Sequence, residues 1–506
     1  MNMKIMITKI KTGYKILGAF MVILIAASCK KNQTSGPVLT LDNITDTIPE
    51  GGGTVTLAFA TDGAWSIDTT GIGWLHLNQI SGGSGDAAIN LTAAKNSSGI
   101  SRSVLFAVNS SNGQRRRVTV IQRPKIYPSY NTSPKAPDAA GMGSTAVQLA
   151  ANIKLGWNIY NTMEAPGGET GWGQPVITQQ LIDLVKSSGV NAIRIPCSWN
   201  AGHLSNQATA QIDAAWLARV KQVVQYCIND NMYVMLNIHW DGGWLENNCT
   251  ATGAKQDSVD AKQKALWEQI ATTLRDYDEH LMFASANEPN ASDEATTNTL
   301  MRYHQTFINA VRSTGGKNSY RTLIVQSPST SIDLANQYLK PANVYKYANL
   351  PTDPTPNKMI LEIHYYAPAN FAILGADASW GKEWYFWGAA FHTKNPLFLD
   401  RNSTAATEEG YVNSEFHSLK VNFVDKGIPV IMGEYDAGDH ADKLKGYPAD
   451  SLLSVNSKMH FYRYVTQQAK ANGVAPFLWA SDIFNRKTNT IGNQRALDSL
   501  KKGAGF

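Results

Sequence analysis

Short apolar runs alternate with longer helical patterns from about Gly143 to the end of the chain at Phe506. Eight such runs are present, at 154–158, 192–196, 233–239, 281–287, 322–326, 359–364, 429–434 and 475–479. Helical patterns separate them, and these include 179–188, 213–230, 261–277 and 458–472. Because eight strand–helix units in succession are typical of one architecture, we predict that residues 143–506 form a (β/α)8 TIM barrel, an α/β fold.

The residues before the barrel have a different pattern. Between residues 38 and 123, short alternating stretches such as 54–59, 104–108 and 118–121 are separated by Gly, Ser, Asn and Asp. Period-two alternation broken by turn residues predicts a small antiparallel β-sandwich. Residues 124–142 contain four prolines, and their composition predicts a semi-rigid linker that follows the sandwich.

The first 28 residues have the composition of a targeting segment. Lysines at positions 4, 9, 11 and 15 precede an apolar stretch at 16–27, which is too short for a stable membrane-spanning helix. Cys29 follows directly, and the segment resembles a bacterial lipoprotein signal, in which that cysteine is acylated. The resemblance implies an outer-membrane or cell-surface lipoprotein, attached to the membrane only through an N-terminal lipid anchor. A periplasmic or soluble secreted protein is the alternative.

The composition argues against several other classes of protein. Charged residues make up 17% of the chain, the net charge is +5, and the one tight basic cluster is 115–117, so we expect no nucleic-acid partner. The remaining cysteines, Cys197, Cys227 and Cys249, have no close spacing, which argues against a disulfide framework and a zinc site. No pair of histidines has close metal-ligand spacing, so we expect no metal and no cofactor.

Reactive side chains follow six of the eight predicted strands. They are Arg194, His239, Asn287 with Glu288, His364 with Tyr366, Glu434, and Trp479. In a (β/α)8 barrel the carboxyl ends of the strands gather at one face and build the active site. Two carboxylates that face each other across such a cleft are the minimal equipment for cutting a glycosidic bond, so Glu288 and Glu434 are the candidate pair.

The strand ends resemble those of glycoside hydrolase family 5, the cellulase-type barrels, over residues 143–506. The resemblance rests on Asn287-Glu288-Pro289, on Gly433-Glu434-Tyr435, and on the His-Tyr-Tyr at 364–366. It implies that Glu288 is the acid/base proton donor and that Glu434 is the nucleophile. The family's other recurring active-site positions fall on Arg194, His239, Asn287, His364, Tyr366 and Trp479.

Longer stretches resemble subfamily 4, which holds endo-β-1,4-glucanases and xyloglucanases. These stretches are 156–162, 169–173, 237–244 and 364–368. Trp240 departs from the pattern, since many members have a second histidine there, and residues 479–482 depart from a more usual Trp-Asp-Asn-Gly run. Residues 38–123 resemble the BACON-type modules of Bacteroidetes surface glycosidases, which leaves open whether the module binds glycan or serves as a stalk.

Aromatic residues on several loops indicate a cleft for a long glycan. Four follow the sixth strand and three lie on other loops of the same face: Trp380, Trp384, Phe386, Trp387, Trp172, Trp199 and Trp244. We predict that roughly half of them line an open cleft and that the rest pack against the loops. Asn158, Trp240 and Trp387 complete the predicted set of substrate-binding or supporting residues.

The two glutamates need opposite charge states. Glu434 must be ionised to attack the anomeric carbon, and Arg194 with the Tyr366 hydroxyl would favour that state. Glu288 must be protonated, and we expect partial burial beside the Glu434 charge to raise its pKa. Asn287 is expected to bind the sugar 2-hydroxyl and Trp479 to stack under the sugar. His239 and His364 are expected to orient these groups through hydrogen bonds.

The predicted function is a retaining endo-β-1,4-glucanase that acts on plant cell-wall glucans, with xyloglucan favoured. The expected state is a monomer whose partner is the polysaccharide. An endo-xylanase or mannanase of the same family is the first alternative, because the catalytic residues are shared across those substrates. A catalytically inactive surface glycan-binding protein is the second alternative, and the presence of both carboxylates argues against it.

Overall fold

The computed structural model describes residues 36–96, 101–339, 350–480 and 482–506. The predicted signal segment and the lipidation site Cys29 lie outside the described residues, so both stay predictions. The chain divides into two compact units, a smaller one that contains residues 55–91 and 105–119 and a larger one that contains residues 120–506. In the described ranges, no helix combines the length and the apolar character needed to cross a membrane.

The N-terminal residues form two β-sheets. In order across the sheets, the strands are Leu39–Leu41, Gly53–Thr61, Gly85–Ala93 and Leu75–Leu77 in the first, and Thr45–Ile48, Arg115–Gln122, Arg102–Ser110, Trp65–Ile67 and Ser81–Gly82 in the second. Phe59 of the first sheet meets Trp65 of the second edge to face, with ring centroids 5.1 Å apart. Gly82 pairs with Trp65, and a Cβ there would come within 2.6 Å of the indole, so only glycine fits. The predicted β-sandwich is confirmed.

Eight strands close into a parallel barrel. We label them β1 to β8 in chain order: Gly156–Asn158, Ala192–Ile195, Tyr233–Asn237, Leu281–Ala284, Leu323–Gln326, Met359–Tyr365, Val430–Tyr435 and Val474–Leu478. The barrel closes where β8 pairs with β1, Phe477 lying opposite Gly156. The strands are buried on both faces, which explains why they read as nearly continuous apolar runs in the sequence. The predicted (β/α)8 barrel is confirmed.

Helices follow the strands in the order that the sequence predicts. Labelled α1 to α10 in chain order, they are Ala146–Asn152, Gln179–Ser187, Ala214–Asn229, Gly253–Leu274, Glu294–Ser313, Ile332–Tyr338, Ala369–Ala372, Glu409–Asn422, Pro448–Ala471 and Gln494–Ala504. Helices α4 and α9 begin well before the predicted starts at 261 and 458. The early turns of α4 carry Asp257 and Asp260, which are buried as ion pairs with Arg302 and therefore do not show in an apolar periodicity.

Large side chains fill the inside of the barrel. They include Met235, Met282, Ile324, Ile360, Ile431 and Phe477, which form one buried cluster. A Cβ on Gly156 would lie 2.2 Å from the Phe477 ring, so glycine at this position makes room for that ring. Helix α1 adds Ala146 to the cluster, and the Ala146 backbone N–H donates to the Asn357 carbonyl just before β6. This helix therefore covers the amino-terminal end of the barrel and leaves the carboxyl end for a site.

The latter part of the predicted Pro-rich linker is bonded to the larger unit. The buried Glu268 carboxylate of α4 accepts hydrogen bonds from the Ser129 hydroxyl and from the backbone N–H groups of Tyr130 and Asn131. Further along, Lys135–Pro137 pairs in parallel with Gly315–Gly316 after α5. From Ser129 onwards, the segment therefore runs along the barrel's helices.

Candidate active site

The carboxyl ends of the barrel strands bring the predicted site residues together. Arg194 comes from β2, Glu288 follows β4, His364 comes from β6 and Glu434 from β7. Among the described residues, one donor atom each from Glu288, His364 and Glu434 lie within 4.8 Å of one another. The two candidate carboxylates, distant in sequence, thus share one cleft.

A β-bulge at Gly433 sets the position of Glu434. Along the β6–β7 pair, Ile363 lies opposite Met432 but His364 lies opposite Glu434, so Gly433 is an extra residue in β7. A Cβ on Gly433 would lie 1.9 Å from Glu362 Oε1, so the position has room for glycine alone. Bulges bend a strand and redirect the side chains that follow, and this one aims Glu434 into the cleft.

Glu434 is buried and held by two donors. Arg194 Nη1 donates to its Oε1 at 2.7 Å, and the Tyr366 hydroxyl donates to its Oε2 at 2.9 Å. Burial raises the pKa of Glu434, while the charges of His364 and Arg194 oppose that shift. The two donors orient the carboxylate and stabilise its ionised form, which is the form that a nucleophile requires.

Arg194 is fully buried and links four side chains. Besides Glu434, its Nη1 donates to Asn158 Oδ1 at 3.0 Å and its Nη2 donates to Asn287 Oδ1 at 2.7 Å. Its Nε lies 3.1 Å from Glu362 Oε1 as an ion pair. One guanidinium therefore holds both the nucleophile candidate and the asparagine next to the acid/base candidate in fixed relative positions.

Asn158 supports the site from below, and a contact with substrate is excluded. It is fully buried, and its amide Nδ2 donates to the carbonyls of Gly433 at 2.9 Å and Leu478 at 3.1 Å. With Oδ1 bound to Arg194, every polar group of its side chain is used. Of the predicted roles, the supporting one fits this geometry.

Glu288 is the more exposed of the two glutamates. Its side chain is 46% exposed, and its Oε1 lies 2.7 Å from His364 Nδ1. Burial alone would raise the pKa of Glu288, but the hydrogen bond and charge of His364 outweigh that effect and lower it. The expectation that the resting structure raises this pKa is therefore wrong, because the prediction left out the histidine that donates to the carboxylate.

His364 lies between carboxylates on both sides of its ring. Its Nδ1 faces Glu288 at 2.7 Å and Glu434 at 3.7 Å, and its Nε2 faces Glu362 at 3.2 Å. Burial opposes the charged form, but the Glu434 charge and the hydrogen bonds with Glu288 and Glu362 raise the pKa of His364 to about 10. The ring is accordingly an imidazolium cation at neutral pH.

Two further glutamates belong to the site and were missed from the sequence. Glu362 on β6 is fully buried, and Glu246 after β3 accepts the Glu288 backbone N–H at 2.7 Å. Glu362 interrupts an apolar run two residues before His364, and side chains two apart in a strand share a face. That signal was available for Glu362. Glu246 begins a 3-10 helix of three residues after β3, which is too short for a periodicity to mark it.

Aromatic rings support Trp479 at the end of β8. Tyr160 stacks on Trp479 with ring centroids 4.9 Å apart, and His239 lies nearly parallel to it at 5.5 Å. Burial and the nearby charges of Arg194 and His364 hold the pKa of His239 well below its usual value, so this ring is neutral. Trp479 keeps part of its surface exposed, as a platform for a sugar requires.

The loop tryptophans divide into exposed and buried groups. Trp172 and Trp240 are each 53% exposed and Trp380 is 63% exposed, whereas Trp199 and Trp387 are fully buried. Trp387 packs edge to face on Phe461, and its indole N–H donates to the Thr407 carbonyl. Of the two roles predicted for Trp387, contact with substrate is contradicted by its burial and the supporting role fits, because its position in an apolar loop run did not distinguish a cleft residue from a packed one.

A cavity of about 260 Å³ opens beside Glu288. Its lining joins Glu288, His364 and Tyr366 to residues 329–333, which lead from β5 into the start of α6, and to Tyr411 and Glu415 of α8. Glu434 and Trp479 are not part of this lining, so the cavity lies on the acid/base side of the cleft.

A metal ion is a poor fit for the Glu288, His364 and Glu434 donor atoms. His364 Nδ1 is used by Glu288, and both Glu434 oxygens accept from Arg194 or Tyr366. A cation there would also lie close to the Arg194 and His364 charges. The expectation of no metal stays a prediction, which a chelator would test.

Comparisons with known proteins agree with this geometry. A model for Cellulase (glycosyl hydrolase family 5) matches residues 157–485, and a model for a viral BACON domain matches residues 40–125. A xyloglucan-specific endo-β-1,4-glucanase of Bacteroides ovatus is 31% identical over 442 residues, covering 83% of this chain and 82% of that protein.

Solved structures give the same relationship. A Bacteroides ovatus family 5 xyloglucanase in complex with a XXXG heptasaccharide superposes with a TM-score of 0.66 at 29% identity, covering 93% of this chain and 100% of the other. A subfamily 4 broad-specificity endoglucanase of Ruminococcus champanellensis with bound cellotriose gives 0.58 at 30% identity, covering 71% and 98%. The fold, the strand-end residues and these matches agree: this chain belongs to glycoside hydrolase family 5, preceded by a BACON-type module.

Proposed function

We propose that this protein is a retaining endo-β-1,4-glucanase that cleaves internal bonds of plant cell-wall glucans, with xyloglucan as the favoured substrate. The observation that carries the proposal is the carboxylate spacing. Oxygen atoms of Glu288 and Glu434 lie within 4.8 Å of each other. Retaining enzymes hold the two carboxyls about 5–5.5 Å apart, whereas inverting enzymes leave room for a water at about 6.5–9.5 Å.

In the first step Glu434 attacks the anomeric carbon. The bond between that carbon and the leaving oxygen breaks as the carbon–Oε bond forms, and Glu288 gives its proton to the leaving oxygen. Arg194 occupies Asn287 Oδ1, so the Asn287 N–H groups are left to donate to the sugar 2-hydroxyl. That contact strengthens as positive charge develops on the sugar ring.

In the second step a water molecule replaces the departed chain. Glu288, now ionised, removes a proton from the water, whose oxygen attacks the anomeric carbon and releases Glu434. The His364 donation that lowers the Glu288 pKa suits this step, because a base must be ionised when the water attacks.

We favour xyloglucan over unbranched glucan as the substrate because of the specificities of the similar proteins. The Bacteroides ovatus glucanase combines xyloglucan specificity with a match over most of both chains. The Ruminococcus structure is described as broad-specificity, so plain β-1,4-glucan is the second candidate. Exposed Trp172, Trp240 and Trp380 supply flat faces for an extended chain.

Product analysis tests the proposal. Proton NMR of early products from xyloglucan is expected to show the β-anomer first, and Glu434→Gln is expected to abolish hydrolysis while leaving glycan binding intact. Glu288→Ala is expected to keep the first step on aryl glycosides whose leaving group needs no proton. Initial α-anomer, or full turnover by Glu434→Gln, would overturn the mechanism. Equal rates on linear glucan, xylan or mannan would overturn the xyloglucan preference.

We also propose that Cys29 carries a lipid anchor and that the protein works at the cell surface as a monomer. The signal-like composition of residues 1–28 supports the anchor. The BACON-type module then stands next to the anchored end of the chain, where either a spacer or a glycan-binding module would serve.

A further inference from the structure

The buried carboxylate of Glu362 has no part in the steps above. It lies inside the barrel beneath the cleft, fully buried, where an unpaired charge is strongly disfavoured. Gln326 Nε2 of β5 donates to its Oε2 at 2.6 Å, and its Oε1 lies 3.1 Å from Arg194 Nε and 3.2 Å from His364 Nε2. Every contact is therefore with a donor, and two of them are cationic groups of the active site.

The space for this carboxylate is built into the neighbouring strand. Its Oε1 occupies the position that a side chain at Gly433 would fill, at 1.9 Å from the ideal Cβ. The bulge that aims Glu434 into the cleft thus also admits Glu362 beneath it. The extra residue in β7 turns Glu434 into the cleft, and the absence of a side chain at that residue leaves room for Glu362.

The His364 ring connects Glu362 with Glu288. A neutral imidazole has only one N–H, so it can donate to one carboxylate and must turn a lone pair towards the other. His364 faces Glu288 at 2.7 Å through Nδ1 and Glu362 at 3.2 Å through Nε2. Only the doubly protonated ring donates at both ends, and that form satisfies both carboxylates.

We propose that Glu362 is a positioning residue that keeps His364 as a permanent imidazolium between the two catalytic glutamates. This inference rests on the proposed function of the site. The fixed cation has its largest effect in the second step, when Glu434 is an uncharged ester and His364 is the cation hydrogen-bonded to the Glu288 carboxylate. It then stabilises ionised Glu288 as the base that activates water.

A pH profile separates this role from a structural one. The titratable and charged groups around His364 are Glu288, Glu434, Glu362, Tyr366, Arg194, His239 and Glu246. The His364 ring lies closer to Glu288 than Glu362 does. Losing the positive charge of the ring therefore changes the pKa of Glu288 more than losing the negative charge of Glu362 does. With a neutral ring, Glu288 holds its proton to higher pH.

The variant Glu362→Gln removes the charge and keeps the shape. We expect its kcat to fall and the basic limb of its kcat/KM profile to move to higher pH by about one unit or more. Glu362→Asp, which keeps the charge, is expected to move the limb less. Glu268→Gln, the same change at a buried glutamate of α4, is the matched control and is expected to leave the profile in place. A lower rate with an unmoved basic limb would overturn the proposal.

A second measurement needs neither substrate nor a stable Glu362 variant. In wild-type protein labelled with 15N-histidine, both ring nitrogens of His364 are expected to be protonated at pH 8, with the signal assigned through His364→Asn. An unprotonated ring nitrogen at that pH would overturn the proposal. Wild-type hydrolysis of xyloglucan, measured alongside, tests the proposed function separately.

Discussion

Gly433 is the residue whose replacement has the clearest expected effect. A methyl group there would meet Glu362 Oε1 at 1.9 Å. We expect Gly433→Ala to lower the free energy of unfolding by about 1–3 kcal/mol through overpacking. It should also reduce kcat, because Glu362 would move away from Arg194 and His364. Chemical denaturation and steady-state kinetics measure the two effects.

The control for that change lies in helix α8. Gly410 has no atom within 4 Å of an added Cβ, so Gly410→Ala is expected to hold or slightly increase stability. Equal stability of the Gly433→Ala variant and the wild type would contradict the expected overpacking. It would mean that β7 shifts at the bulge to accommodate the methyl group without a loss of stability.

Glu246 makes stability depend on pH. Burial raises its pKa to about 7, with the nearby Glu288 charge adding to the shift. An acid with a higher pKa in the folded state binds more protons when folded, so it favours folding less as the pH rises from about 4.3 to about 7. Glu246→Gln can still accept the Glu288 N–H and cannot ionise. We expect its Tm to change less between pH 5 and pH 8 than that of the wild type.

Calorimetry at the two pH values decides the point. Parallel Tm changes in the wild type and Glu246→Gln would mean that other buried acids, such as Glu164 with its pKa raised to about 7 mainly by burial, account for the pH dependence.

At the scale of elements, the loop after β6 carries one buried and one exposed tryptophan. Trp387 is fully buried against Phe461, while Trp380 is 63% exposed. We expect Trp387→Ala to lower the free energy of unfolding by about 3–5 kcal/mol. Trp380→Ala should leave Tm unchanged and raise KM for long glycans if this ring lines the cleft. Thermal melts and kinetics on polymer and oligomer substrates measure both.

An unchanged Tm for Trp387→Ala would contradict the packing role assigned to that ring. Unchanged KM for Trp380→Ala on every glucan would remove Trp380 from the cleft.

The strands were predictable because burial on both faces leaves a plain apolar run, and all eight runs are strands. Helix starts were less predictable where burial depends on charge pairs, as in α4 with Asp257 and Arg302. The site residues at strand ends were brought together as expected. The charge states around Glu288 were not predictable, since they depend on a ring nitrogen and a buried carboxylate whose spacing exists only in the folded barrel.

The solvent exposure of the loop aromatics was also not predictable from the sequence. Trp199 and Trp172 lie in similarly polar surroundings, yet one is buried and the other is not. The difference arises from Asp241, whose carboxylate accepts the Trp199, Asn200 and Ala201 backbone N–H groups and so fixes the loop after β2. Hydrogen bonds between residues this far apart in the chain leave no pattern in the local sequence.

At the scale of the whole molecule, the proposed anchor determines where hydrolysis takes place. Cys29→Ala is expected to move the protein from the membrane to the soluble fraction, with kcat on soluble xyloglucan unchanged. Fractionation and metabolic labelling with a fatty acid measure the change. Wild-type protein that carries no label and stays soluble would favour the secreted alternative.

The bulge in β7 also has a consequence for how this chain tolerates changes in length. Ile431 belongs to the barrel interior, whereas Met432 and Tyr435 pack on its outside, so Gly433 and Glu434 are consecutive residues on the inner side. Removing Gly433 would restore strict alternation with Glu434 still facing inwards, but at the position that Gly433 now holds, where a Cβ would lie 1.9 Å from Glu362 Oε1. The extra residue therefore gives the nucleophile and the buried carboxylate of Glu362 separate places in the barrel. A chain that keeps every functional side chain but loses this one glycine would force Glu434 and Glu362 into the same space.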